Sequence, residues 1–247
     1  MWASDIIPAM NMKAAPATTA PDEQDCPEGA SYSPDSPCFG KAAGRPRAAD
    51  KEARLQALLH TAAHLFLEKG YSKVSLEMIA REAHVAVRTI YVKFGGKAGL
   101  LNAVIENGRA HFFADMTDMG SDPRPMREVL EDFSLRFLEL VSVPSFVSLH
   151  RMVVAEAKTT PELAQTFYQA GPQRTREELA RFFSRPEVRA QLRADIPVEM
   201  LAVHLTVCLL GDNMMRMLFP TEHTPTGAEL RVQAQKGLDL FLRGAMG

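Results

Sequence analysis

Apolar positions recur at helical spacing from residue 49 almost to the end of the chain. Between Ala49 and Lys69, residues Leu55, Leu58, Leu59, Ala62, Ala63 and Phe66 share one face, and Gly70 follows as a stop. Leu76, Ile79 and Ala80, at i, i+3 and i+4, predict a short helix, and Ser75 stands where a side-chain oxygen caps the first amides. Ala83-His84-Val85 interrupts the pattern. A second short run then turns Ile90 and Phe94 inward, with Arg88, Thr89, Tyr91, Val92 and Lys93 around the rest. A connecting helix is expected from Lys97 to about Met119, broken by Gly120 and Asp122-Pro123. Helical periods continue over 124–141, 145–158, 161–170 and 172–184, more weakly over 186–194, then over 198–218 and 227–243. No stretch alternates convincingly for more than four residues. The expected fold class is therefore all-α, a three-helix head followed by a larger helical body.

Two short helices joined by a three-residue break make a helix-turn-helix, whose second helix fits a DNA major groove while the first braces it. Charge agrees with that assignment. The net charge is only −2, yet residues 1–40 carry one Lys against six Asp/Glu, and residues 41–97 carry eleven Lys/Arg against five Asp/Glu. These segments sum to −5 and +6, leaving −3 for the rest. The positive charge lies where a nucleic-acid face needs it. Lys97, after Gly95-Gly96, sits in the first turn of a helix, against the helix dipole. A phosphate docked at that helix start accounts for it; a solvated lysine is the alternative.

The residues that carry this pattern resemble the TetR family of bacterial one-component repressors. The likeness runs from Leu58-Leu59-His60-Thr61-Ala62-Ala63-His64-Leu65-Phe66-Leu67-Glu68-Lys69-Gly70-Tyr71 through Val74-Ser75 and Ile79-Ala80-Arg81-Glu82-Ala83. It continues through Thr89-Ile90-Tyr91, Phe94, Lys97 and Leu100-Leu101. Two positions depart from the family pattern: His84 stands at a turn position usually held by glycine, and Ala86 where Ser or Thr usually caps the recognition helix. By the resemblance, Ser75, Val87, Arg88, Thr89, Tyr91, Lys93 and Lys97 are the DNA-binding positions. Val87 also fits the inward face with Ile90 and Phe94, so both orientations stay open. Residues 151–163, RMVVAEAKTTPEL, resemble the body of AcrR-like regulators.

The division expected is a disordered tail over 1–40, a basic arm and DNA-binding domain over 41–97, and a ligand-binding and dimerisation body over 98–247. The tail is rich in Pro, Ala, Ser, Thr and Asp, and Met10 and Met12 offer later starts. In the arm, KAAGRPR, Arg45 and Arg47 suit a narrow minor groove, with a solvated linker as the alternative. The closing helices suggest a four-helix dimer bundle, with Ala234, Gly237, Leu238 and Phe241 as a close-approach face; packing within one subunit is the alternative.

The resemblance implies an effector cavity in the body, and Phe112, Met116, Phe137, Phe167 and Met214 suit its walls, with His150 and Glu156 as polar groups. Expected partners are a double-stranded operator, a second copy of the chain and a small apolar or aromatic effector; no cofactor, metal or membrane partner is expected. His60 and His64 have metal-compatible spacing but no third ligand nearby. Cys26, Cys38 and Cys208 form no CxxC and suit a reducing compartment. With neither a signal peptide nor a spanning apolar run, the expected location is the cytoplasm. Absent GxSxG, HExxH and phosphate-loop patterns argue against an enzyme. A constitutive architectural DNA-binding protein is the other alternative.

Overall fold

The computed structural model of the chain describes residues 48–114, 116–219 and 225–247. The tail, the arm with Arg45 and Arg47, and Cys26 and Cys38 lie outside the described residues, as do the side chains of Phe112 and Met214. The described residues form helices and turns, with one isolated bridge between Leu192 and Met246. No single helix among them is long and apolar enough to cross a membrane.

The head is α1 (Ala48–Lys69), α2 (Leu76–Glu82) and α3 (Val87–Phe94). The α1 stripe buries Leu58, Leu59, Ala62, Ala63 and Phe66, and the Gly70 amide closes on the Phe66 carbonyl at 3.0 Å with φ +86°. α4 (Lys97–Phe112) leaves the head and enters the body. It stops earlier than its sequence period suggests, and the Phe113 ring instead stacks on Phe133 at 6.0 Å.

α5 (Met126–Ser142) and α6 (Pro144–Glu156) follow, bent by 66° where Pro144 opens the second helix. α7 (Pro161–Tyr168) and α8 (Arg174–Phe183) are joined by a π-helical turn over Gln169–Gln173. Pro172 explains that turn: its nitrogen has no proton to give, and its ring displaces the carbonyl four residues back. The weak 186–194 period yields only a short α9 (Pro186–Arg189). The period over 198–218 is two helices, α10 (Val198–Leu210) and α11 (Asn213–Leu218), because Gly211 takes φ +47°, ψ −130° between them. α12 (Gly227–Ala245) closes the chain behind a reciprocal Thr226–Glu229 capping box.

The closing face has a different role from the one expected. Ala234, Gly237, Leu238 and Phe241 are buried inside the subunit's own core, and a Cβ on Gly237 would lie 2.6 Å from the Cys208 carbonyl oxygen. The small residue serves the crossing of α12 over α10 of the same chain. The outer sides of these helices stay exposed: Val207 at 59% and Leu240 at 64%.

Burial forms two apolar clusters. One joins α5, α8, α10 and α12; the other joins the head to α4 and to Leu149, Val153, Leu163 and Phe167. Phe146 packs against both.

Candidate functional site

The exposed face of α3 follows from its burial pattern. Ile90 is fully buried, Phe94 half-buried, and Arg88, Thr89, Tyr91 and Lys93 are exposed. Val87 is half-buried and packs against the head core, which places its methyls inward. Val92, which sequence reasoning passed over as a site residue, is 77% exposed. Its place at i+4 from Arg88 is the signal that puts it on the same outer face.

The turn before α3 carries both departures read from the sequence. His84 has φ +52°, a left-handed conformation that costs a non-glycine residue about 1–2 kcal/mol. Ala86 holds the cap position with no side-chain bond to give, whereas Ser75 Oγ accepts from the Met78 amide at 3.2 Å and so caps α2. Gly95 (φ +75°) ends α3, and α4 starts two residues later. At Gly99 an added Cβ would lie 1.8 Å from the Phe94 carbonyl oxygen, so only glycine lets α4 pack this closely on α3. Gly96 gives α4 no side-chain cap, which leaves its first amides open to an anion. Lys97 Nζ lies 4.2 Å from the centre of the Tyr71 ring. Burial lowers the pKa of Lys97, against the opposing pull of Glu156 and Glu162. Burial, Glu162 and Glu156 push Tyr71 up to about 12.

Glu156 belongs to this junction and not to the body's interior, contrary to expectation. It ends α6 and accepts from the Tyr71 amide at 3.0 Å, the Ser72 amide at 2.9 Å and the Ser72 hydroxyl. Burial raises its carboxyl, but the Ser72 and Tyr71 hydrogen bonds and Lys97 outweigh that, and the net shift is downward. Glu156 sits on the head-facing side of α6, with Val153. The next face round, Phe146, Leu149 and His150, looks onto a cavity.

That cavity, about 290 Å³, lies among α4, α5, α6, α7, the π-helical turn, α8 and α10. Phe137, His150 and Phe167 line it, brought together from three helices; the His150 ring meets Phe167 edge-on at 5.6 Å, and burial lowers the His150 pKa. Met116 does not line it: beyond the end of α4, it packs against the cluster of α5 and α12. Sequence reasoning missed Arg109 and Arg176 on the wall. Arg109 was detectable, since it falls at i+4 from buried Ile105 on the inner stripe of α4. Among the described residues, no group of three or more His, Cys, Asp or Glu side chains could hold a metal.

Comparison with known proteins adds sequence and fold relationships. Residues 58–104 match the family model for bacterial regulatory proteins of the tetR family, and residues 128–244 match that for the C-terminal domain of AefR-like transcriptional repressors. A DNA-binding transcriptional repressor TetR from Mycobacteroides abscessus is 33% identical over 69 residues. That match covers 28% of this chain and 36% of the relative's length. A candidate TetR-family regulator from Mesorhizobium loti superposes with a TM-score of 0.64 at 23% identity, covering 82% of this chain and all of the other, a likeness of fold. The flavonoid-responsive regulator FrrA superposes with a TM-score of 0.59 at 25% identity, covering 79% of this chain and 98% of that one.

Proposed function

Because this chain belongs to the TetR family of bacterial transcriptional regulators, DNA-binding repressors and not enzymes, we propose that it is a homodimeric, ligand-responsive repressor. It covers a palindromic operator and releases it when a small apolar or aromatic molecule enters the body. The observation that carries this reading is that one helix touches both sites. α6 presents Leu149 and His150 to the cavity and, less than two turns later, uses Glu156 to hold the backbone amides of Tyr71 and Ser72 at the base of the head. A ligand that prefers a shifted α6 therefore acts on the head's position directly.

On the DNA side, Arg88 reads guanine with two hydrogen bonds, and the exposed Val92 takes the thymine-methyl role that the half-buried Val87 leaves free. Thr89, Tyr91, Lys93 and the start of α4 at Lys97 hold phosphate, and Arg45 and Arg47 reach the minor groove. Two copies paired through the outer sides of α10 and α12, where Val207 and Leu240 are exposed, set two recognition helices roughly 34–36 Å apart. The protein works in the cytoplasm, where the operator is. The aromatic cavity walls and the likeness to a flavonoid-responsive regulator both support an aromatic effector.

Footprinting on the DNA flanking its own gene, repeated with candidate aromatic ligands, tests this reading. A protected palindrome that is released by ligand is the expected result. Protection that no ligand relieves leaves a constitutive DNA-binding protein instead, and an equilibrium-sedimentation monomer removes the dimer.

A further inference from the structure

The cavity walls carry an imbalance that apolar packing does not explain. Arg109 is 13% exposed, and its terminal amino group donates to Glu178 at 2.7 Å. Its Nε is buried and has no hydrogen-bond partner. A guanidinium can give five hydrogen bonds, and a buried donor left without an acceptor is unfavourable. Glu178 cannot serve Arg109 alone, because Arg174 Nε also donates to it at 3.1 Å. One carboxylate is thus shared by two guanidiniums. A second arginine, Arg176, lines the same cavity and donates to the Tyr168 hydroxyl at 3.2 Å.

Among the described residues no Asp or Glu lines the cavity, and His150, the one histidine among them that does, has its pKa lowered by burial. Of the two threonines on the wall, Thr175 and Thr206, the second donates to the carbonyls of Val203 and Ala202 at 2.8 and 3.2 Å. The cavity wall therefore carries two guanidiniums, Arg109, which shares Glu178 with Arg174, and Arg176, whose partner is a neutral hydroxyl. Around them stand Phe137, Phe146, Phe167 and the edge-on His150 ring. A neutral phenol or ketone would accept from a guanidinium but leave the charge. A bare hydrocarbon would satisfy neither.

Resting on the reading that this cavity is the effector site, we infer that its ligand is an aryl carboxylate. The rings pack among the phenylalanines, and the carboxylate accepts from the guanidiniums of the two wall arginines, Arg109 and Arg176. The pairing is also placed to matter, because Arg109 lies on α4, the helix whose first turn at Lys97 joins the head. A carboxylate on Arg109 competes with Glu178 of α8 for the same guanidinium.

Calorimetric titration of the full chain with 2-naphthoate, 2-acetonaphthone, naphthalene and decanoate separates the possibilities. Expected is a preference of about ten- to hundredfold for 2-naphthoate over either neutral naphthalene, the size of a charge-assisted hydrogen bond gained in a partly dry site. Arg109→Gln should erase that preference while keeping naphthalene binding. Arg176→Gln, nearer the solvent, should reduce it, and serves if Arg109→Gln does not fold. Equal binding of acid and ketone overturns the carboxylate and leaves the effector cavity standing. Tighter binding of decanoate overturns the aryl body. Binding of none of the four overturns the inference, and ligand-dependent release of the operator by some other compound would then show that the wider functional reading survives it.

Discussion

Replacing Glu156 by glutamine tests the link between body and head with almost no change of shape. The carboxylate accepts from two backbone amides and one hydroxyl at the turn after α1. Glutamine has a single acceptor oxygen, so one amide keeps a neutral hydrogen bond and the other faces an NH₂ group. Hydrogen bonds to a charged group contribute about 1.5–3 kcal/mol and neutral ones about 0.5–1.5 kcal/mol. Ser72 is exposed and water compensates part of the loss, so the contact should weaken by about 1–2 kcal/mol, or roughly 5- to 30-fold in its opening equilibrium. Amide exchange at Tyr71 and Ser72 should speed up accordingly while exchange in α5 and α10 stays unchanged. Ligand should also shift operator affinity by a smaller factor than in the wild type. The native protein should show a matching pH signature. Because the folded state lowers the Glu156 pKa, its contribution is complete above about pH 4.5 and is lost as pH falls through the lower folded value. The melting temperature of the wild type should therefore drop more steeply in that range than that of the variant. Unchanged exchange at Ser72 together with undiminished ligand response would refute the link.

Two glycine substitutions probe the close approaches. Gly99→Ala sets a methyl 1.8 Å from the Phe94 carbonyl and should abolish operator binding while helical content falls only slightly; normal binding would show that α4 can slide. Gly237→Ala should lower stability by about 1–3 kcal/mol in urea unfolding, against little change for Gly244→Ala, whose Cβ meets nothing within 4 Å. Equal midpoints for the two would mean that the α10–α12 crossing has slack.

The head was readable because each of its features is local. The α1 stripe, the Ser75 cap, the left-handed His84 and the uncapped Ala86 depend on residues within a turn or two of each other. The body was less legible because its helices are buried on more than one side. α6 shows why: the period that unites Phe146, Leu149, Val153 and Glu156 is real, but Phe146 and Leu149 look onto the cavity and Glu156 meets the head. Spacing reports that a side is covered and not by what. Gly237 has the same ambiguity, since a small residue permits a close crossing whichever chain supplies the partner helix. Met116 was misplaced for another reason, as its supposed helical phase extends beyond the point where α4 ends.

The two apolar clusters divide the molecule along a different line from the domain division expected at residue 97. Leu149, Val153, Leu163 and Phe167 are solid with the head, and the cavity opens where their cluster meets that of α5, α8, α10 and α12, with Phe146 astride the seam. On the proposed ligand response, the piece that would tilt is the head together with α4, α6 and α7, a lever with the cavity as its fulcrum. A molecule there would not have to send a signal along the protein: it would work as a wedge driven into the hinge, and a small displacement at the seam would become a larger one at the far tip of the recognition helix.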